Sequence, residues 1–392
     1  MLSASWEAVY NIAASARTSG FMVAPLMHRA CLDDKGGLVL RRVRPGARIA
    51  ARPQHVDLKV LRRRAVQLTF SFAPSVISIL IVSFNTAPEL VACLESLARC
   101  AAALPHEIIV VDNGSSDGSV EAVRTRFPTA RVIANQENLG FSKANNQALP
   151  LARGEYVLFL NPDSEMQPGT LERMLAELAG FPERAAVGPR VRKQHEFISP
   201  NCARRLPTLW TELSNLLWLD RIFPRSRIMA WKYYAPWAGT TDRDVECLLG
   251  AAMLCRTDQV RALGGFDESV PLYLDDMDLC KRLGELGRLR YVCGAVVLHH
   301  YSVSTRKQPT PLIKRLGLQA TYHYFVKHRG RAYARAYVAV VALAGIVAFP
   351  LGFVRLLGGS LRKARRRWDE ARVFVAWAWQ SKAVTYTLPR LP

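Results

Sequence analysis

The stretch Glu155-Tyr156-Val157-Leu158-Phe159-Leu160-Asn161-Pro162-Asp163 limits the possible folds more than any other. Five apolar residues in a row, closed by a polar turn, predict a strand covered on both faces of a sheet. Pro162 cannot continue a central strand, so the chain leaves the sheet there. Asp163 is thereby placed at the carboxyl end of a buried strand, the edge where open α/β sheets bind ligands. An acid at that place either holds a divalent metal against a phosphate or caps the next helix, expected to start near Pro168. On this stretch alone both readings stay open.

The same texture recurs upstream. Val76–Ser83 is a β-branched run ending in Phe84-Asn85-Thr86, and Pro88 opens a helix with Leu90, Val91, Leu94, Leu97 and Ala98 on one face. Glu107–Val111 predicts a second buried strand, followed by Asp112-Asn113-Gly114-Ser115-Ser116-Asp117-Gly118-Ser119. A helix over about 119–127, a strand at 131–134 and a helix through Asn145 and Asn146 lead back to the opening strand. This alternation predicts an α/β fold with a mostly parallel central sheet flanked by helices. Further on, strands are expected near 186–191, 248–255, 289–293 and 295–300, with helices before Gly264-Gly265 and after Asp275. Leu206, Leu209, Leu213, Leu216 and Leu217 suggest an amphipathic helix, read as core packing or as a flap facing an acceptor or a membrane.

Charge divides the chain in three. The net +21 splits into +8 over residues 1–75, −2 over 76–302 and +15 over 303–392. A neutral body with basic flanks suits a catalytic unit held at an anionic membrane surface better than a nucleic-acid groove, and no nucleic-acid partner is expected. Residues 1–74 read as a weakly ordered basic extension with a short helix near Ser3–Ala16, residues 75–305 as the catalytic domain, and 306–392 as a helical, membrane-associated appendage. Ala336–Val354 is nineteen uncharged residues, close to a bilayer span, but Lys and Arg flank both of its ends. The positive-inside bias then favours a re-entrant or interfacial segment over a crossing, on the cytoplasmic face. Eight scattered cysteines without paired spacing suit free thiols in a reducing compartment. No secretory signal pattern opens the chain.

Asn85, Asp112, Asn138 and Asp163 follow four consecutive predicted strands and line one crevice. A nucleotide would satisfy such a set, its base and ribose at Asp112 and its phosphates at Asp163. Val110-Val111-Asp112-Asn113-Gly114-Ser115-Ser116-Asp117, Asn138-Leu139-Gly140-Phe141, Leu160-Asn161-Pro162-Asp163, Gly264-Gly265-Phe266-Asp267-Glu268, Tyr273-Leu274-Asp275-Asp276-Met277-Asp278 and His299-His300 followed by Ser304 resemble the family 2 glycosyltransferases. The resemblance covers about residues 76–305, is strongest to bacterial rhamnosyltransferase-like members, and implies a GT-A fold.

It also implies roles. Phe84, Asn85, Asp112, Asn113, Asn138, Gly140, Asn146, Asn161 and Asp163 would bind the nucleotide sugar, and Asp163 with His299 (His300 as substitute) would hold Mg2+ or Mn2+. Asp276 would be the catalytic base, with Asp275, Gly250, Gly265 and Phe266 near the acceptor. Two positions depart from the family pattern: Asn161 replaces the first acid of the metal motif, and Asp275 replaces a glutamate. The implied activity is an inverting, metal-dependent transfer of a sugar from a dTDP- or UDP-linked donor, rhamnose or a relative, to a glycan or lipid-linked acceptor. The alternative is a nucleotide-sugar-binding scaffold without turnover. A dehydrogenase is not expected, because no G-x-G-x-x-G follows the first strand.

Overall fold

The computed structural model describes residues 28–32, 38–42, 77–101, 104–192, 202–269, 273–300 and 310–380. The chain divides into two units, residues 1–73 and 74–392. In the first, β1 (His28–Leu32) pairs antiparallel with β2 (Leu38–Arg42). The helix expected at Ser3–Ala16 and the Ser304 end of the histidine motif lie outside the described residues.

The second unit is built on a sheet that begins as four parallel strands. β3 (Ile77–Ser83) pairs with β4 (His106–Asp112) and with β6 (Tyr156–Leu160), and β4 pairs with β5 (Arg131–Ala134). Every residue of β3 and β6 is buried, as continuous apolar runs require when helices cover both faces. Side chains alternate between those faces. Leu80, Val82, Val157 and Phe159 point into one core, while Ile77, Ile79, Ile81, Leu158 and Leu160 point into the other. The second core is closed by α1 (Ala87–Cys100) and by α4 (Thr170–Ala179), through Leu90, Leu94, Leu97, Leu171 and Met174. Between them in sequence lie α2 (Ser119–Arg126) and α3 (Phe141–Ala148). α3 closes the first core with Ala144 and Ala148.

Beyond β6 the sheet becomes mixed. Its order is β10-β13-β8-β12-β6-β3-β4-β5, with β7 (Ser164–Met166) added on β13. β12 (Ala252–Arg256) runs antiparallel to β6 and to β8 (Arg184–Arg192), while β13 (Arg288–His299) is parallel to β8 and β10 (Arg243–Val245) closes the edge. Six of the nine strands therefore point one way, so the expected fold class holds. Two details differ from the sequence reading. The strands expected at 289–293 and 295–300 are one strand, because a register shift between Val292 and Val296 absorbs the irregularity around Gly294. Asp163 caps no helix: β7 intervenes, and Gly169 (φ 73°) precedes α4.

β9 (Ala203–Arg204) and β11 (Cys247–Leu248) form a small antiparallel ribbon, and between them in sequence lie α5 (Leu209–Leu216) and α6 (Leu219–Ile222). After α7 (Thr257–Ala262) and α8 (Asp275–Leu283), the chain ends in α9 (Thr310–Arg329), α10 (Arg331–Leu357) and α11 (Leu361–Gln380). Phe325, Tyr337, Val341 and Phe374 from these last helices share the first core with Phe159 and Leu279. The C-terminal helical region thus packs on the same core as the sheet. α10 buries Ala334, Tyr337, Val341, Ala344 and Ala348 on one face. Residues Arg331–Val354 are long and apolar enough to cross a membrane, with mean hydropathy 2.3 and one third buried.

A buried acid joins that layer to α8. Asp278, 2% exposed, lies 2.7 Å from each of His328 Nε2, Lys327 Nζ and Arg282 Nη2. Burial opposes its charge, but hydrogen bonds from His328 and Lys327 hold the carboxyl well below the usual aspartate range. A folded pKa below the unfolded one stabilises at pH above about 4 and is withdrawn as pH falls from there. Asp278→Ala leaves Arg282, Lys327 and His328 around a void, and unfolding is expected to become easier by about 3–5 kcal/mol. Denaturant titrations at pH 7 and pH 3 check this, since the gap between variant and wild type should narrow at the lower pH.

Candidate active site

Parallel pairing aligns the carboxyl ends of three strands. Ser83 is opposite Asp112 and Ile81 is opposite Leu160, so Asp112 and Asp163 flank the end of β3 from either side. Two strand spacings separate their backbones by roughly 10 Å, about the reach of a nucleoside diphosphate. The loops between are stitched together. The Asn85 amide donates to Ser115 Oγ (2.9 Å), and the Ser116 amide donates to Asn85 Oδ1 (2.9 Å). Asn85 takes a left-handed φ of 51°, which an Asn tolerates better than most residues. The Ala87 amide, at the start of α1, donates to Asp117 Oδ2 (2.8 Å).

Asp112 is 2% exposed. Its Oδ1 accepts from the Ser115 amide (2.8 Å), while Oδ2 is buried with no hydrogen-bond partner. An orphaned carboxylate oxygen costs about 1–3 kcal/mol or more unless a ligand donor fills it. Asn113 builds the wall beside it: Nδ2 donates to Gly140 O (3.2 Å) and Asn138 Oδ1 (3.3 Å), and Asn138 Oδ1 also accepts from the Gly140 amide (2.9 Å). Phe84 sits half-buried at the end of β3.

On the other flank, His299 Nε2 lies 2.9 Å from Asp163 Oδ1 and 3.3 Å from Asn161 Nδ2. Burial opposes ionisation of Asp163, but His299 overrides it and lowers the carboxyl below its ordinary range. His300 turns away to Glu165 Oε1 (2.6 Å), so of the two histidines His299 is the one aimed at the motif. Among the described residues no group of three or more His, Cys, Asp or Glu converges. A carboxylate and an imidazole fit Mg2+ or Mn2+ in kind, because such ions at phosphate sites use one or two protein ligands and take the rest from phosphate and water.

The next strand carries the edge to Asp276. The Asn161 amide donates to Ala251 O (2.9 Å), and the neighbouring Gly250 amide donates to Asp276 Oδ2 (3.2 Å). Gly250 is needed there, since a Cβ would stand 3.1 Å from Asp276 Cβ. The same Oδ2 accepts from Arg204 Nη2 (2.6 Å). Burial opposes the charge of Arg204, but Asp276 reverses that and raises it. Among the described residues both of these bonds fall on Oδ2 and none is made by Asp276 Oδ1. Burial, and then the Asp276 carboxylate, push the Asp275 carboxyl up to about 7. Both acids line a cavity of about 630 Å3, whose far wall is Lys314, Tyr337 and Phe374 of the C-terminal helices.

Three expected contacts have protein partners. Asn146 Oδ1 accepts from the Phe266 amide (2.9 Å), and its Nδ2 donates to Phe266 O (2.9 Å) and Glu268 Oε1 (3.0 Å). It thereby holds the 265–268 loop. Phe266 is 3% exposed and packs on Phe159 and Phe141, ring centroids 4.8 and 5.4 Å apart, so it faces the core. Gly265 (φ 75°) is a close-approach glycine, because a Cβ would run into Asn146 Oδ1. Arg204, Lys327 and His328 were not anticipated. They meet Asp276 and Asp278 across 72, 49 and 50 residues of chain, and an isolated Arg, Lys or His carries no local signal of that.

An acid at each of two parallel strand ends, with a third held beside the next strand, stands along the edge where open α/β sheets bind ligands. Residues 78–231 match Glycosyl transferase family 2. The N-acetylglucosaminyl-diphospho-decaprenol L-rhamnosyltransferase of Mycobacterium tuberculosis is 32% identical over 248 residues, which span 60% of this chain and 79% of that protein. The O-antigen biosynthesis protein RfbC of Myxococcus xanthus is 26% identical over 274 residues, 67% of this chain and 20% of that protein. Among solved structures, the mannosyltransferase PcManGT of Pyrobaculum calidifontis in complex with GDP-Man and Mn2+ is similar at a TM-score of 0.49 and 17% identity, over 83% of this chain and 94% of that one. The chain belongs to glycosyl transferase family 2 and is a glycosyltransferase with relatives in cell-surface glycan synthesis.

Proposed function

We propose that this enzyme moves a sugar, rhamnose or a close relative, from a dTDP- or UDP-linked donor to a hydroxyl of a lipid-linked saccharide or polysaccharide, with inversion. The observation that carries it is the buried, unpartnered Asp112 Oδ2 on one side of β3 and the Asp163–His299 pair on the other. Asp112 accepts from the base and ribose of the donor. Asp163 and His299 would hold Mg2+ or Mn2+, which neutralises charge on the departing nucleoside diphosphate. Asp276, oriented through Oδ2 by Arg204 and the Gly250 amide, takes the proton of the acceptor hydroxyl on Oδ1 as the hydroxyl attacks the anomeric carbon. One displacement inverts that carbon.

The acceptor lies on the membrane side. The first half of α10 packs into the core, whereas Ile346, Phe349, Phe353, Val354 and Leu357 in its second half are exposed. That half also packs on α11, where Phe353 meets Trp368 with ring centroids 5.1 Å apart, which supports an interfacial or re-entrant seat over a crossing. A donor screen by nucleoside-diphosphate release, run on membranes that supply native acceptor, tests the reading. A dTDP- or UDP-sugar is expected to be consumed only with Mn2+ or Mg2+ present. Nucleotide binding with no transfer from any donor would instead favour the scaffold alternative, which the Asn161 substitution motivates.

A further inference from the structure

α11 opens Leu361-Arg362-Lys363-Ala364-Arg365-Arg366-Arg367, with no acid in its first turn. A helix N-terminus is already the positive end of the dipole, so cations stacked there at i,i+3 and i,i+4 repel it and one another. One counter-anion is internal. Glu370, 3% exposed, lies 2.5 Å from Lys314 Nζ, 2.9 Å from Arg367 Nη1 and 3.5 Å from Arg366 Nε. A single carboxylate does not balance these three. Arg221 on α6, beside Asp220, and Lys363 add two more cations, both lining one cavity with Arg366 and Arg367.

Three cavities meet at Arg366, whose side chain is 71% exposed. The first is the Asp276 cavity. The second, about 240 Å3, is lined by Trp218, Arg221, Lys363, Arg366 and Arg367, none of them acidic. The third, about 710 Å3, runs between Lys314 and the outer face of α11. Arg367 is stacked on Trp218, its Cζ 3.2 Å from the ring centroid, which fixes one edge of the second cavity. The exposed apolar end of α10 leads directly into this basic turn, through Leu356, Leu357 and Leu361.

We propose that Arg221, Lys363, Arg366 and Arg367 form a diphosphate subsite for the headgroup of a prenyl-diphosphate-type acceptor. This rests on the transferase reading above. Guanidinium forks match diphosphate oxygens two bonds at a time. The lipid chain follows the apolar end of α10, and the sugar enters the Asp276 cavity past Arg366. Arg366 thus reads the acceptor's headgroup and not the donor's.

The test uses the full chain in detergent with farnesyl diphosphate as the probe, comparing wild type, Arg221→Ala, Arg366→Ala and the double variant. Both arginines are exposed, so melting temperatures should stay unchanged. Kd for farnesyl diphosphate is expected to rise about tenfold per arginine, with farnesol binding and UDP or dTDP binding in Mn2+ unaffected. Phosphatidylglycerol vesicles separate the two sources of lipid phosphate. If the double variant loses vesicle binding but keeps farnesyl diphosphate, the cluster is a general leaflet anchor and the subsite is wrong. It is equally wrong if wild type does not bind the probe. Failure of wild type to bind UDP or dTDP would sink the transferase reading separately, leaving the farnesyl diphosphate comparison to decide the subsite.

Discussion

Asp276→Asn is expected to lower sugar transfer by about 10²–10⁴-fold while leaving nucleoside-diphosphate affinity within about twofold of wild type. Asn keeps an oxygen for the Gly250 amide but cannot take a proton, so the chemical step fails and the donor site on the far strands does not. The substitution also leaves Arg204 buried without its counter-charge, and a lowered melting temperature accompanies the kinetic loss. Transfer rates corrected for folded fraction separate the two. Asp275→Asn behaves differently. Burial, and then the Asp276 carboxylate, raise the Asp275 carboxyl to about 7. Wild-type kcat/KM should therefore change with pH through that region, as Asp275 beside the base gains its charge. Removing Asp275 removes that titration, so the step near pH 7 should disappear while most of kcat survives. If Asp275→Asn abolished transfer and Asp276→Asn did not, the roles would be reversed.

Asp163→Ala is expected to abolish Mn2+ binding in the presence of nucleoside diphosphate, read by the loss of free-ion paramagnetic signal in titrations, and to cut transfer about 10³-fold. The metal readout matters because it does not require turnover. His299→Ala should weaken Mn2+ binding about 10–100-fold, and His300→Ala should not, since His300 is turned to Glu165. Chelation of wild type should reproduce the Asp163→Ala phenotype and be reversed by added Mn2+. Asn161→Asp would add the missing acid beside His299 and is expected to tighten metal binding. Unchanged Mn2+ affinity in both Asp163→Ala and Asn161→Asp would place the metal elsewhere.

The parallel half of the sheet was legible because its strands are covered on both faces, and burial leaves a local signature of consecutive apolar residues ending in turn chemistry. The positions of Asp112 and Asp163 were legible for the same reason: each follows a buried strand, and strand ends can be counted along the chain, whereas His299 was singled out only by the family resemblance. The bulge that makes residues 288–299 a single strand was not, because Gly294 interrupts the pattern while neighbours on either side keep the pairing. Asn146 and Phe266 read as ligand contacts because they sit in recognisable motifs, but the sequence does not show that the Asn146 amide pairs with the Phe266 backbone, across 120 residues.

By itself, the sequence determined the parallel half of the sheet and which acids follow its strands, since period and turn chemistry are properties of neighbouring residues. Only the tertiary structure decided that Arg204 restrains Asp276, that Asp278 ties α8 to Lys327 and His328, and that Arg366 stands where three cavities meet. Those are pairings of isolated charges brought together by packing. A lone Arg or His on a helix looks the same in sequence whether it meets water, a carboxylate or a lipid phosphate.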